Sequence, residues 1–122
     1  MIYPDSSFLI SLYSLDVNSA EAAKAMSGIG GEFVITPLAD FEVVNGLEQR
    51  VFRKEISVAR AHMGPERFDE DVEAGLLRLV PLPARLFARA REISERTTAT
   101  LGTRTVDLLH VAAALELGAE YL

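Results

Sequence analysis

Apolar and polar positions change along the chain in short blocks, and the blocks switch between two spacings. Ile2 and Tyr3 open a strand over residues 1–4, and a tight turn at Asp5 leads into a helix carrying Leu9, Ile10 and Tyr13. Residues 19–27, SAEAAKAMS, read as a short helix closed by the glycine-rich join at 28–31. Residues 32–36, EFVIT, read as a buried strand, and Pro37 stands where a helix tolerates a missing N–H, at its first position. That helix runs over 38–52. Residues 55–63 and 65–74 read as two helices paired across Gly64, the second with Phe68 and Val72 as its buried stripe. Residues 77–81, LRLVP, make a third strand. Pro83 opens a long helix with Leu86, Phe87, Ala90 and Ile93 on its inner face. A fourth strand begins at residues 120–122.

The stretch around which the rest is arranged is 102–118, GTRTVDLLHVAAALELG. Thr103 and Thr105 are its candidate N-caps, and Gly118 is its C-terminal breaker. Apolar residues on nearly all sides predict a largely buried helix. Asp107 sits in its first turn, where the helix dipole favours a carboxylate. Strands that alternate with helices imply a parallel sheet with right-handed crossovers.

The length of 122 residues suits one domain over 1–122, with no repeat, linker or low-complexity tract. No apolar run is long enough to cross a bilayer, the N-terminus lacks the flank and cleavage site of a signal peptide, and there is no cysteine. The expected address is the cytoplasm, with no membrane partner. A net charge of −6 argues against holding nucleic acid by bulk electrostatics. It leaves room for an enzyme that binds through a local basic patch and metal ions.

Three acids stand out. Asp5 falls at the carboxyl end of the first strand, where ligands gather in open α/β sheets. Glu42 shares a helix face with Leu38 and Asn45, crowded by Val43, Val44 and Leu47. Asp107 is the third. Each has a plainer role available, as N-cap, exposed surface and first-turn residue respectively. If they meet at one rim, like charges disfavour joint ionisation unless a cation joins them. Oxygen donors suit Mg²⁺ or Mn²⁺, which activate water and offset charge on a phosphodiester. Arg85, Arg89, Arg91, Arg96 and Arg104 form the candidate phosphate-contacting region, against a plainer reading as solvated helix surface. The run Glu66, Asp69, Glu70, Asp71 and Glu73 reads as a solvated face, and His62 as structural or exposed.

Three motifs carry a family resemblance: Asp5-Ser6-Ser7 after a short strand, Thr36-Pro37 followed by Glu42-Val43-Val44-Asn45, and the run from Leu101 to Ala114, LGTRTVDLLHVAAA. In this order and at these spacings they resemble the PIN domain, and more narrowly the VapC-type toxins of prokaryotic toxin–antitoxin pairs. The resemblance implies a three-layer α/β fold with a central parallel sheet flanked by helices. It also implies a Mg²⁺- or Mn²⁺-dependent endoribonuclease, commonly a homodimer, held inactive by a cognate antitoxin whose C-terminal segment enters the active site. By position, Asp5, Glu42 and Asp107 match the acidic metal-site residues. Ser6, Asn45 and Thr105 match polar neighbours that orient them, and Arg104 is the candidate substrate contact.

The family pattern usually has a further Asp after the last core strand, and this sequence ends at Leu122. The expectation is a truncated C-terminal strand and helix, with exposed apolar surface and self-association at the sheet edge. The missing acid also favours an alternative reading, a catalytically impaired PIN-fold binding or interaction module. A receiver domain or dehalogenase-type phosphatase fits less well. Both want a downstream strand-end lysine, whereas Lys24 and Lys54 lie in helical contexts and Ser7 replaces the second Asp. Neither a P-loop nor a Ser–His–Asp arrangement is visible.

Overall fold

The computed structural model of the chain describes residues 1–15 and 17–122, the side chains of residues 17–19 excepted. The elements follow as β1 (Ile2–Tyr3), α1 (Ser6–Tyr13), α2 (Val17–Gly28), β2 (Val34–Ile35), α3 (Pro37–Phe52), α4 (Val58–Glu73), β3 (Arg78–Leu79), α5 (Leu86–Leu101), α6 (Thr105–Leu117) and β4 (Glu120–Tyr121). All strand pairing among the described residues is parallel. β1 lies beside β4 in register Ile2 to Glu120, and β2 beside β3 in register Val34 to Arg78. A parallel bridge from Ile2 to Phe33, with Ile2 N–H donating to the Glu32 carbonyl over 2.7 Å, joins the two pairs. The order across the ribbon is therefore β3–β2–β1–β4. The strands are shorter than the sequence suggests, because Pro4, Pro37 and Pro81 stand at their ends and cannot donate to a ladder.

Successive strand residues face opposite ways, and here that splits the core. Ile2 packs with Leu9, Ile35, Val43, Leu47 and Phe68 against α1, α3 and α4. Tyr3 packs with Leu86, Ala90 and the alanines at 112, 113 and 114 against α5 and α6. Helices thus cover both faces, which is the three-layer α/β arrangement.

Several helix expectations fail for clear reasons. Residues 58–73 form a single helix with Pro65 inside it, where two were expected. Ser57 caps it, accepting from the Arg60 N–H at 3.2 Å. Ala61, Gly64 and Phe68 are all buried, so one apolar stripe runs straight through the proline. A proline inside a helix costs about 3 kcal/mol; burying that stripe, with Phe68 alone contributing roughly 1.5–3 kcal/mol, offsets it. Gly64 is required there, since a Cβ would lie 2.5 Å from the Tyr13 carbonyl oxygen. In α5 the stripe runs through Leu86, Ala90 and Ile93, and Phe87 is rotated outward, 69% exposed.

The cap of α6 also differs. Arg104 occupies the N-cap without a side-chain bond, which makes Thr105 the first helical residue rather than the cap. Thr103 is not the cap either. Gly118 ends the helix at φ +67°, as its freedom from a Cβ allows. The helix is not buried all round: Val106 and Leu115 face outward. Among the described residues no helix is long and apolar enough to cross a membrane.

Candidate active site

β1, α1, α3 and α6 meet around a cleft of about 700 Å³ whose lining includes Asp5, Ser6, Ser7, Glu42, Arg50, Arg53, Arg104 and Asp107. The three acids singled out in the sequence therefore share one cavity, each brought there by a different element.

Asp5 is the N-cap position of α1, yet its side chain makes no cap bond. Its carboxylate instead accepts from Ser7 Oγ and, at 2.9 Å, from the Tyr121 hydroxyl. β4 holds that tyrosine in place: the Asp5 N–H donates to the Leu122 carbonyl at 2.7 Å. Burial raises the Tyr121 pKa well above the usual tyrosine range, and the bond to Asp5 adds to it. The charges of Asp5 and then Asp107 push the same way, so both acids act on this hydroxyl.

Glu42 projects from the middle of α3. Its Oε1 accepts from His110 Nε2 at 2.6 Å, and Ser6 Oγ lies 3.0 Å from the same nitrogen. On the far side of the ring, Nδ1 is 2.7 Å from the Tyr3 hydroxyl, which is 3.0 Å from Thr36 Oγ1. His110 is 1% exposed. Burial raises the Tyr3 pKa; the Thr36 bond opposes this and the Glu42 charge adds to it.

Asp107, in the first turn of α6, pairs at 3.3 Å with Arg104, whose side chain is 88% exposed. Asn45 and Thr105 line an adjoining groove with Glu42, Arg104 and Asp107. Among the described residues neither makes a hydrogen bond to a cleft acid, whereas Ser6 reaches Glu42's partner His110. Val44 and Asn45 are exposed, so Glu42 is crowded less than the sequence suggests.

The arginine expectation divides. Arg104 is at the cleft. Arg85 and Arg89 pair with Glu92, and Arg91 with Glu95, on their own helix, and these α5 arginines are not part of the cleft lining. They behave as solvated helix surface. The arginines that sequence reasoning missed are Arg50 and Arg53, and a signal for Arg53 existed. Glu42, Gly46, Gln49 and Arg53 fall at i, i+4, i+7 and i+11, one continuous helical face, and all line the cleft. His110 was also missed; its signal is an imidazole set among Leu108, Leu109, Val111 and the alanines, one turn after Asp107. His62 is exposed, 3.9 Å from Glu48. Of the acidic run, Asp71 is half-buried and accepts from the Tyr13 hydroxyl at 2.5 Å.

The donor chemistry of the cleft suits a hard divalent cation, with carboxylate oxygens on its wall and no cysteine in the sequence. The arrangement is open. Among the described residues no group of three His, Cys, Asp or Glu side chains stands together as a ready coordination set. An ion held here would keep several waters, as Mg²⁺ ordinarily does.

A family model described as the PIN domain matches residues 2–122. Among solved structures, the crystal structure of Mycobacterium tuberculosis VapC20, a sarcin-ricin loop cleaving toxin, superposes with a TM-score of 0.73 at 17% identity. The match covers 98% of this chain and 85% of that one, and at this identity it shows a shared fold. No curated protein sequence matches the chain closely.

Proposed function

The chain belongs to the PIN domain family, and on that footing we propose that it is a VapC-like endoribonuclease that hydrolyses RNA phosphodiesters with Mg²⁺ or Mn²⁺. The observation that carries the reading is the convergence of Asp5, Glu42 and Asp107 in one cleft that also presents Arg104. A net charge of −6 leaves room for it, because Arg50, Arg53 and Arg104 line the same cleft.

Asp5, Glu42 and Asp107 would hold the cation. When bound, it supplies a water of lowered pKa and offsets charge on the scissile phosphate. The chain's own residues do the rest. Tyr121 and Ser7 direct the Asp5 carboxylate into the cleft by donating to its oxygens. Arg104 reaches from the rim with a planar guanidinium suited to two phosphate oxygens. Arg53 also lines the cleft, its guanidinium paired with Glu55 at 3.0 Å. A cleft carboxylate takes the proton released as water attacks. The expected physiological partners are a second copy of the chain and an antitoxin that blocks the cleft.

Asp107→Asn tests the assignment. A variant that folds and no longer cuts RNA supports it, and full activity from that variant sinks it.

A further inference from the structure

We infer that His110 is the positioning residue of the cleft, the end of a directional hydrogen-bond chain from Thr36 through Tyr3 to His110 that fixes how the Glu42 carboxylate faces. Its consequence for metal binding rests on the function proposed above; the chain of hydrogens stands on the geometry alone.

The ring is enclosed, so water does not complete its bonding and protein groups must. An ionised carboxylate only accepts, so the 2.6 Å contact to Glu42 Oε1 puts a hydrogen on Nε2. Ser6 Oγ, at 3.0 Å, takes a second branch of the same N–H. Thr36 is fully buried and its hydroxyl lies 3.0 Å from Tyr3 Oη. One direction gives the Thr36, Tyr3 and Nε2 hydrogens an acceptor each: Thr36 donates to Tyr3, Tyr3 donates to Nδ1 at 2.7 Å, and Nε2 donates to Glu42. With a hydrogen on Nδ1, the Tyr3 hydrogen turns to Thr36. The buried Thr36 hydrogen then has no acceptor among the described residues, which is costly.

This chain ties together the elements that carry the acids. Tyr3 is in β1, Thr36 caps α3, His110 follows Asp107 by one turn of α6, and Ser6 follows Asp5. His110 contacts Glu42 rather than the cleft's contents, so it acts through the carboxylate. Partners of this kind orient ligands and hold them against rotation.

Two isosteres separate positioning from packing. His110→Gln places an amide N–H where Nε2 stands and keeps a donor to Glu42. His110→Asn places its polar atoms near Nδ1 and leaves Glu42 without that donor. Mn²⁺ binding, followed by electron paramagnetic resonance, is expected to weaken about 10–100-fold in His110→Asn and to recover most of the way in His110→Gln. Equal losses in the two would overturn the inference, since a structural role moves both alike. ¹⁵N resonances of the wild-type ring are expected to show hydrogen on Nε2 and a bare Nδ1; hydrogen on Nδ1 overturns it whatever the variants do. If the wild-type chain binds no Mn²⁺ and cuts no RNA, the proposed function fails, and the ring resonances still decide the inference.

Discussion

The Tyr121 hydroxyl donates to Asp5 Oδ1 over 2.9 Å, joining residues 116 positions apart in sequence. A tyrosine of the last strand thereby supports an acid at the end of the first, with β4 paired to β1 beneath it. Removing the hydroxyl in Tyr121→Phe is expected to cost about 1.5–3 kcal/mol of stability, since the acceptor is a carboxylate. Cleavage should fall about tenfold, the lower bound for losing a group that orients a metal ligand. Thermal unfolding and RNA cleavage, measured side by side, check both.

All three tyrosines of the sequence have raised pKa values. Burial is the leading cause for Tyr3, Tyr13 and Tyr121, reinforced at Tyr13 by the Asp71 bond. The folded chain therefore keeps protons that the unfolded chain releases near pH 10. Stability is complete below that pH and declines above it, by up to about 1.4 kcal/mol per pH unit for each buried tyrosine. Tyrosinate absorbance should rise together with loss of helical circular dichroism. Tyrosine ionisation at its ordinary pH in a folded chain would contradict this. Tyr13→Phe should make the alkaline decline shallower.

Two glycines at helix crossings are predicted to differ. A Cβ on Gly64 would meet the Tyr13 carbonyl oxygen at 2.5 Å, and backbone cannot step aside. A Cβ on Gly46 would meet Cδ1 and Cγ1 of Ile10, side-chain atoms that a rotamer change can move. Gly64→Ala should cost about 2–3 kcal/mol, the upper part of the range for overpacking, and Gly46→Ala clearly less. Urea unfolding of both variants orders them; equal costs would refute the distinction.

Arg104→Gln separates binding from stability. The Arg104–Asp107 pair is too exposed to contribute much to the fold. The melting temperature should hold, KM for RNA should rise about tenfold, as for one lost charge-assisted bond, and the salt dependence of binding should weaken by about one ion. An unchanged salt slope would place the phosphate elsewhere.

That three candidate acids share one cleft was legible in the sequence because each sits at a local landmark: a strand end at Asp5, a Pro-initiated helix before Glu42, a first turn at Asp107. The helical layers were legible from apolar spacing for the same reason. What escaped depends on distant partners. His110 lies on an apolar helix, and only tertiary structure brings it to Glu42, 68 positions away. The continuous α4 escaped because Pro65 is a local breaker, and the packing of Ala61, Gly64 and Phe68 overrules it. Hydrophobicity points Phe87 inward, but its place on α5, one residue off the Leu86–Ala90–Ile93 stripe, turns it outward. Of the two readings open for the arginines near α5, the structure favours solvated surface: Arg85 and Arg89 pair with Glu92, and Arg91 with Glu95.

The most direct test is cleavage of a mixed RNA pool by the purified chain in Mg²⁺, in Mn²⁺ and in EDTA, beside Asp5→Asn. Cutting is expected with either metal, none in EDTA, and none from an Asp5→Asn chain that melts near the wild-type temperature. Cutting that survives EDTA, or an Asp5→Asn chain as active as the wild type, would contradict the proposed function.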